Sequence, residues 1–359
     1  MTRAAKNRVT TPERKATPLV INGDMNIAQR STSVTGLGDG DEGYVTVDRF
    51  RHTAAASSGR FTSKQTAVDD LDGFQNCLEL DCTTADTSIA STELLQIDCR
   101  LEGQDMQHFK KGETNAEYIT VSFYAKADAA VTYACELQDI DNSRHISKLF
   151  TTGTDWTHHV ISFPGDTTGN FGDDANESLR VSLILHAGSN FTEGTLAAAW
   201  ASYNDANSAP GIGSFYAATT RSLKITGFQI EAGDYNATTI PPFQYESVGE
   251  NLRRCLRYFK QIDKEVDYGP VMMAHGTNSN TARGAYFFNP PMRSAPSFVR
   301  TGDFIRSFGD ATANTTAAAT STRYAHAIDF TNSGAYDLDD GILITFKTTT
   351  ASLTYDAEI

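Results

Sequence analysis

The fold of this chain is decided by a short alternating segment, Ile119-Thr120-Val121-Ser122-Phe123-Tyr124-Ala125. Every second side chain is apolar, so an extended strand here would turn one face to a core and the other to solvent. A later segment repeats this alternation through Leu179, Val181, Leu183 and Leu185. Both segments therefore predict half-buried β-strands.

The same pattern extends outward from these two segments. Further strands are predicted at 44–51, 76–83, 93–101, 130–138, 145–151, 156–163 and 220–231. Helical periodicity is nearly absent, and Gly, Asp, Asn and Ser occupy the intervening turns. This pattern is typical of an all-β, antiparallel jelly-roll β-sandwich, which we place at residues 19–245. In the last strand the alternation changes parity between Ile225 and Phe228, which predicts a β-bulge at Gly227.

One helix is predicted, at residues 246–260. Apolar residues recur there at helical spacing, and Ser247 and Glu250 have the spacing of a capping box. The helix would connect the sandwich to a smaller C-terminal β-domain at 261–359, whose strand near 342–346 alternates clearly. The Ala- and Thr-rich stretch 311–321 is expected to be a surface loop or a weakly cored edge.

The charge distribution argues against nucleic-acid binding by the body of the protein. The chain has 359 residues and a formal net charge of −14, whereas nucleic-acid binding needs a basic surface. Residues 1–18 are the exception, because only Glu13 opposes the basic side chains of this arm. Those side chains are Arg3, Lys6, Arg8, Arg14 and Lys15. The arm is interpreted either as a disordered terminus or as a docking arm that orders against an acidic neighbour.

Cysteine content and hydropathy indicate the compartment. The five cysteines show no CxxC spacing and lie mostly in apolar runs, so we expect buried free thiols and synthesis in a reducing cytoplasm. No signal peptide is recognisable, and no apolar run approaches the ~20 residues of a membrane span.

No catalytic motif is recognisable in the sequence. There is no HExxH or GxSxG pattern, and His158-His159 would point to opposite faces of a strand. The acidic clusters Asp69/Asp70/Asp72, Asp139/Asp141 and Asp173/Asp174 are compatible with a structural calcium ion, although no site is assigned. We expect no enzymatic activity, no zinc and no cofactor.

Three long loops are predicted, at 31–43, 164–178 and 201–219, and loops of this length are often functional. Trp200 opens the third loop, which also holds Tyr203 and Tyr216. Exposed aromatic rings stack on sugars, so these three residues are the predicted carbohydrate contacts. The alternative is that Trp200 anchors the loop to the core. Trp156, at the start of an alternating strand, is interpreted as core packing.

Two segments about two hundred residues apart resemble the opening and closing signatures of bacteriophage tail-fibre proteins. The first is Leu19-Val20-Ile21-Asn22-Gly23-Asp24-Met25-Asn26-Ile27-Ala28-Gln29-Arg30, read as a strand and turn, followed by Asp48-Arg49-Phe50 where a Trp is more usual than Phe50. The second runs from Leu223 through Phe243 to Cys255-Leu256-Arg257-Tyr258-Phe259. The stretches 288–296, which contains Pro290-Pro291 behind Phe287 and Phe288, and 355–359 resemble the small C-terminal β-domain of such fibres.

The resemblance covers about 19–359 and implies a structural virion protein of a phage tail. Such a protein would have a carbohydrate-binding-module-like jelly roll, would be a homotrimer that attaches to host surface glycan, and would be assembled in the host cytoplasm. Other tail proteins would bind the N-terminal arm. A purely architectural protein, such as a head decoration or a fibre-anchoring adaptor, stays open as the alternative. A polysaccharide depolymerase is a weaker alternative, because the chain lacks a repeat of fixed period.

Overall fold

The structure, a computed structural model, describes residues 17–263, 269–306, 312–332, 336–338, 341–347 and 351–359. The protein is all-β, as the alternation predicts. Two separate hydrophobic cores are present, one between the sheets of a sandwich and one in the C-terminal part of the chain. The basic residues of the predicted arm, Arg3 to Lys15, lie outside the described residues.

The sandwich is built from thirteen strands within the continuous described stretch 17–263. They are β1 (Ser33–Leu37), β2 (Glu42–Gly43), β3 (Arg51–Ala55), β4 (Arg60–Ala67), β5 (Asn76–Thr84), β6 (Leu94–Glu102), β7 (Ile119–Ala127), β8 (Thr132–Asp139), β9 (Arg144–Thr151), β10 (Thr157–Phe163), β11 (Glu177–Ala187), β12 (Ala201–Ser202) and β13 (Ser222–Ala232).

These strands pair antiparallel into two packed sheets, which form the jelly-roll sandwich. The six-stranded sheet has the order β1-β4-β5-β13-β7-β10, and the seven-stranded sheet has the order β12-β9-β8-β11-β6-β3-β2. The apolar parity of the deciding segment faces the core, where Val121 and Phe123 are fully buried. Its polar parity, including Tyr124, faces outward from the six-stranded sheet.

The predicted bulge at Gly227 is confirmed. The register of β13 against β7 shifts between Thr226 and Gln229, and Gly227 has a φ of +63°. A Cβ atom at this position would lie 2.7 Å from the Phe74 ring and 2.9 Å from the Tyr124 ring. Glycine therefore resolves the parity change and leaves room for two aromatic rings on the outer face.

Three predictions near the N-terminus are wrong. Residues 44–50 form turns rather than a strand, and Arg49 has a φ of +71° because buried long-range contacts hold this segment. The predicted loop 31–43 contains β1 and β2. Likewise, Leu19 to Ile21 form part of a turn rather than a strand. The predicted loop 164–178 is irregular through 176, and β11 begins at Glu177.

The helices are short. Among the described residues they are α1 (Ser189–Thr192), α2 (Val248–Cys255) and four 3-10 turns at Gly103–Asp105, Gln107–Phe109, Asp205–Asn207 and Phe215–Ala217. The start of α2 is confirmed, because the Ser247 hydroxyl accepts the Glu250 backbone N–H at 3.2 Å. The helix ends five residues before the predicted 260, since the chain turns and enters a strand at Phe259.

The C-terminal unit, residues 259–359, contains nine described strands. They are β14 (Phe259–Asp263), β15 (Pro270–Asn278), β16 (Thr281–Phe287), β17 (Ser297–Thr301), β18 (Phe304–Arg306), β19 (Thr312–Ser321), β20 (Ala325–Thr331), β21 (Gly341–Phe346) and β22 (Ser352–Asp356). β14, β22 and β17 form a small sheet, and the others close on themselves in the order β15-β16-β20-β19-β18-β21.

In this unit, the structure differs from one prediction, for 311–321, and decides which phenylalanine before Pro290 packs inward. The stretch 311–321, expected to be a loop or an edge, contains β19, which pairs with neighbours on both sides. Of the two phenylalanines before Pro290-Pro291, Phe288 packs inward at 6% exposure, whereas Phe287 is 73% exposed. The proposed domain limits at 245 and 260 stay predictions.

The residues that carry the phage-fibre resemblance meet at one joint between the sandwich and the C-terminal unit. The Asn22 side-chain amide donates to Ile27 O and Asp48 O, both at 2.9 Å, and its backbone N–H donates to Asn251 Oδ1 of α2 at 3.0 Å. Gln29 donates to Phe259 O at 3.1 Å. The buried Asn22 thus links the N-terminal turn to the segment at Asp48 and to α2. These hydrogen bonds explain why a polar turn residue is buried here.

Two arginines complete this joint. Arg49 is buried, pairs with the Glu358 carboxylate and lies 3.5 Å from the Tyr258 ring centroid. Arg30 pairs with Asp356 at 3.0 Å and lies 3.6 Å from the Phe259 ring centroid. Buried charges are tolerated when they are paired and hydrogen-bonded, so these contacts fix the last strand against the sandwich.

The five cysteines are buried free thiols, as predicted. Burial raises the pKa of the Cys82 thiol to about 11 and that of Cys99 to about 12. Both thiols are therefore protonated and unreactive near neutral pH.

Candidate functional site

The structure does not bring the three predicted carbohydrate contacts together on an open surface. Tyr216 is fully buried in the sandwich core. Trp200 packs against that core, and its indole N–H donates to Pro164 O at 2.7 Å. Tyr203 is half-buried, and its hydroxyl donates to Asp205 Oδ1 at 2.6 Å. The alternative for Trp200, an anchor for the loop, describes its position, and the prediction for Tyr216 is wrong.

Residues 188–214 cover the outer face of the seven-stranded sheet. Ala134 and Ile184 point outward from β8 and β11, and they form a small apolar cluster with Ala187 and Ala209. The covering segment also bonds to the sheet, with Ser147 N–H donating to Ala197 O at 2.7 Å. The predicted functional loop 201–219 is therefore a cover whose apolar side chains are used in packing.

At the rim of this face, Lys111 occupies a cage of oxygen atoms. Its ammonium lies 2.6 Å from Asp139 Oδ2 and 3.2 Å from Asp166 Oδ2, and it donates to the carbonyls of Thr168 and Gly169. The Lys111 side chain is only 3% exposed. One predicted acidic cluster, that of Asp139, is thus neutralised by a lysine of the same chain.

The uncovered part of the seven-stranded face is a network of paired charges. The Asp98 carboxylate is fully buried, and it lies 2.7 Å from Arg100 Nε and 3.7 Å from Arg51 Nη1. Arg180 pairs with Glu177 at 2.7 Å. Because these groups already satisfy one another, the face presents few free donors or acceptors.

A buried serine–histidine–glutamate relay lies beside the cover. His186 Nδ1 is 2.7 Å from Ser214 Oγ, and His186 Nε2 is 2.8 Å from Glu93 Oε2. The Ser214 hydroxyl also accepts the Tyr216 backbone N–H at 3.0 Å, and the Tyr216 ring packs against the imidazole. We interpret the relay as a tie between the covering segment and the sheet, because the histidine is fully buried and the serine caps a 3-10 turn.

The outer face of the six-stranded sheet is different, because it carries aromatic rings. We call this set the aromatic strip; it consists of Trp156, His158, Tyr124, Phe74, Phe243 and Tyr245. Tyr124 on β7 and His158 on β10 are cross-strand partners, and their rings stack 4.3 Å apart with 8° between the planes. Trp156, Tyr124 and His158 are each half-buried, and Tyr245 is 47% exposed.

Phe74 extends the strip across the sheet. Its ring centroid lies 5.4 Å from that of Tyr124, 5.2 Å from that of Phe243 and 5.6 Å from that of Tyr245. Gly227 lies beneath Phe74 and Tyr124, where any Cβ atom would push the rings away. The strip is therefore seated on the bulge and braced by ring contacts, which orders its rings in advance of any ligand.

Asp70 fixes one end of the strip. Its carboxylate accepts the Trp156 indole N–H at 2.7 Å and also binds the Lys126 ammonium. These contacts lower the pKa of Asp70, first through Lys126 and then through Trp156. The indole is thus oriented by an ionised carboxylate, while its ring remains partly exposed.

Sequence reasoning missed this site, although a signal was present. The signal is Tyr124, a large ring on the polar parity of β7, with His158 as its cross-strand partner on β10. Trp156, interpreted as a core residue, bonds to exposed Asp70 instead. Burial lowers the pKa of His158, which leaves its ring neutral near pH 7.

A cleft of about 710 Å³ lies near the joint. Its polar lining includes Gln104, Asp105, Glu231, Gln244 and Arg257. Burial raises the pKa of Asp105 and of Glu231. Arg257 is bound to Glu102 and Arg254 to Glu246, each at 2.7 Å, so both arginines of the cleft lining are paired.

Neither a cluster of metal ligands nor a membrane-spanning helix is found in the described residues. No group of three or more His, Cys, Asp or Glu side chains among them is placed to hold a metal ion. The helices described are too short and too polar to cross a membrane.

Comparisons with known proteins find similarity only among solved structures. No protein-family model matches the chain, and no curated protein sequence matches it. The enzymatically active domain of tailspike protein 4 of bacteriophage CBA120 is 10% identical with a TM-score of 0.30 over 60% of this chain, which spans only 21% of that protein. A family 11 carbohydrate-binding module from a Clostridium thermocellum cellulase is 11% identical with a TM-score of 0.29, covering 58% of this chain and 99% of the module. At these values the similarities carry no argument about function.

Proposed function

We propose that this protein binds a polysaccharide through the aromatic strip. The observation that carries the proposal is the stacked, partly exposed pair Tyr124 and His158, with Trp156 oriented beside it by Asp70. Sugar rings present C–H faces that pack on aromatic rings, and adjacent polar groups fix their orientation. The rings are already braced by Phe74, so little side-chain entropy is lost on binding.

Substitution of the strip tests this proposal. Tyr124→Ala and Trp156→Ala should each weaken binding to a glycan array by roughly tenfold, the loss expected for one stacking ring. Tyr324→Ala is the matched control, because Tyr324 is 58% exposed on the C-terminal unit. The proposal fails if the intact protein binds no glycan, or if the strip variants bind as tightly as the control.

We further propose that the protein belongs to a bacteriophage tail, as a fibre or receptor-binding component that attaches to host surface glycan. The support is the motif resemblance, together with the finding that Asn22, Arg30, Arg49 and Glu358 meet at one joint. This role places the protein in the virion after assembly in the host cytoplasm. Labelling particles with an antibody against the C-terminal unit tests it, and label absent from tails would contradict it.

A homotrimer is proposed with this role. On the closed sheet of the C-terminal unit, Met273 is 65% exposed and Phe287 is 73% exposed. Both line a surface groove of about 570 Å³ that also includes Ala285 and Ala327. Exposed apolar patches mark contact surfaces, and a second and third copy would cover this one. A trimer mass should fall for M273E/F287E but not for Ile89→Glu on the sandwich.

The architectural alternative, a head decoration or fibre-anchoring adaptor, places the function in the basic arm. Its motivation is the positive charge of Arg3, Lys6, Arg8, Arg14 and Lys15 against an acidic body. Deleting residues 1–16 should abolish incorporation into particles if the arm docks the protein. Unchanged incorporation would reject docking by the arm.

We propose that binding occurs without chemistry, since the relay at His186 serves as a tie within the fold. A depolymerase is the competing idea. Reducing-end release from purified bacterial capsule measures it directly, and sustained release abolished by His186→Gln would overturn the binding-only proposal.

A further inference from the structure

We infer that the aromatic strip is selective for uncharged polysaccharide and rejects acidic polysaccharide. This inference rests on the proposed function and specifies its ligand class. It is carried by the arrangement of charged side chains around the strip.

Carboxylates outnumber ammonium groups at the Trp156 end. Lys126 interacts electrostatically with Asp70, Asp155 and Asp69, and these three acidic residues are all exposed. Its ammonium is bound directly to Asp70. One cation therefore faces three anions, and its hydrogen-bonding capacity is already partly used by the protein.

The other lysines of this face are also paired. Lys64 lies 2.5 Å from Asp81 and 3.6 Å from Glu79, and Lys224 lies 3.8 Å from Glu79. These pairs cross neighbouring strands β4, β5 and β13 on the outward parity. A carboxylate on a bound sugar would have to displace an existing partner to gain a cation.

The far end of the strip repeats this acidity. Glu231 lies on the outward parity of β13, and Asp234 accepts the Ser162 hydroxyl at 2.6 Å beside β10. The stacked imidazole of His158 is neutral near pH 7, because burial lowers its pKa. Within the described part of the chain, carboxylates thus flank both ends of the strip, and they outnumber the one ammonium group, that of Lys126, at the Trp156 end.

Acidic polysaccharides carry a carboxylate on every repeat, so several charges would lie close to these carboxylates at once. Like charges within a Debye length of about 8–10 Å repel, and the repulsion weakens with added salt. An uncharged sugar has no such penalty, and its hydroxyls can donate to Asp70, Glu231 or Asp234. The same aromatic stacking is available to both classes, so charge decides between them.

The test uses a glycan array that carries neutral glucans, galactans and mannans beside uronic- and sialic-acid glycans. The wild-type protein should bind neutral members at least roughly tenfold more tightly than acidic members at low salt, and the gap should narrow at high salt. The double variant D69K/D155K should raise binding to acidic members by roughly tenfold. D173K/E193K makes the same charge change at exposed positions outside the strip and should leave the preference unchanged.

The outcomes separate the two proposals. Equal or tighter binding of acidic members by the wild type, abolished by Tyr124→Ala, would overturn the selectivity and leave the binding site intact. A preference that changes equally in D69K/D155K and D173K/E193K would also overturn it, because net charge alone would then explain it. Absence of binding to every member would reject the proposed function, and the selectivity with it.

Discussion

Both outer faces of the sandwich are formed by antiparallel sheets, but they differ in how far their aromatic side chains are exposed. Residues 188–214 cover the outer face of the seven-stranded sheet, and the rings of Trp200 and Tyr216 are used in packing with the sandwich core. On the six-stranded sheet, Tyr124, His158 and Trp156 stay partly exposed beside residues 233–245, which cover only the neighbouring part of that face. An aromatic residue in a long loop is therefore a weaker indicator of binding than one on the outward parity of a strand, where the backbone already holds the ring.

The comparison also shows how each face is stabilised. The covered face relies on long-range polar ties, such as Lys111 to Asp139 and His186 to Glu93. The open face relies on ring contacts above a glycine bulge. Breaking a tie should therefore reduce stability, whereas changing the open face should mainly reduce binding.

The largest expected loss of unfolding free energy comes from a substitution on the covered face, that of the seven-stranded sheet. Lys111→Met would leave the buried Asp139 carboxylate without its cation, whereas Asp166 would keep its pair with Arg144, so the variant should destabilise the protein by about 3–5 kcal/mol. Lys110→Met is the matched control, since its pair with Glu117 is exposed and contributes under about 1 kcal/mol. Urea unfolding measures both. Equal midpoints for the two variants would show that the cage does not stabilise the cover.

The next largest loss of unfolding free energy is expected on the open face, that of the six-stranded sheet, where the aromatic strip lies. Gly227→Ala introduces a Cβ at positive φ, 2.7 Å from Phe74 and 2.9 Å from Tyr124, and should cost about 2–3 kcal/mol while weakening glycan binding. Gly36→Ala has a φ of +76° with no atom within 4 Å of its Cβ, so it should cost only about 1 kcal/mol. Undisturbed binding by Gly227→Ala would mean that the ring positions do not matter.

Much of the fold could be predicted from the sequence because alternation is local. The Gly227 bulge and the Ser247 cap are examples, since each depends on residues close together in the chain. The turn at Asp48-Arg49 could not be predicted, because its partners Gln29 and Glu358 are distant in sequence. The predicted positions of the two tryptophans were wrong for the same reason. The partner of Trp200 is Pro164 and the partner of Trp156 is Asp70, and each partner is distant in sequence from its tryptophan.

Acid should weaken the interior that both sheets share. Burial lowers the pKa of His52 and of His159 to about 4, so the unfolded chain binds more protons than the folded protein once the pH falls below about 6.5. The stability that these neutral rings contribute is complete above that pH and is lost as the pH falls towards 4. Urea unfolding at pH 7 and pH 5 should differ by about 1–2 kcal/mol per histidine. His159→Phe should reduce the difference, and an unchanged slope would exclude His159 as a source.

The smallest effect should come from Tyr203, the predicted contact that stays partly exposed on the covered face. Its ring packs against His145 with centroids 5.0 Å apart, and its hydroxyl bonds to Asp205. Tyr203→Ala should therefore cost about 1 kcal/mol in unfolding free energy. Glycan binding should stay within twofold of wild type, since Tyr203 lies on the opposite sheet from the strip. A tenfold loss of binding in Tyr203→Ala, with Tyr124→Ala unaffected, would move the ligand to the covered face and reverse the assignment of the two sheets.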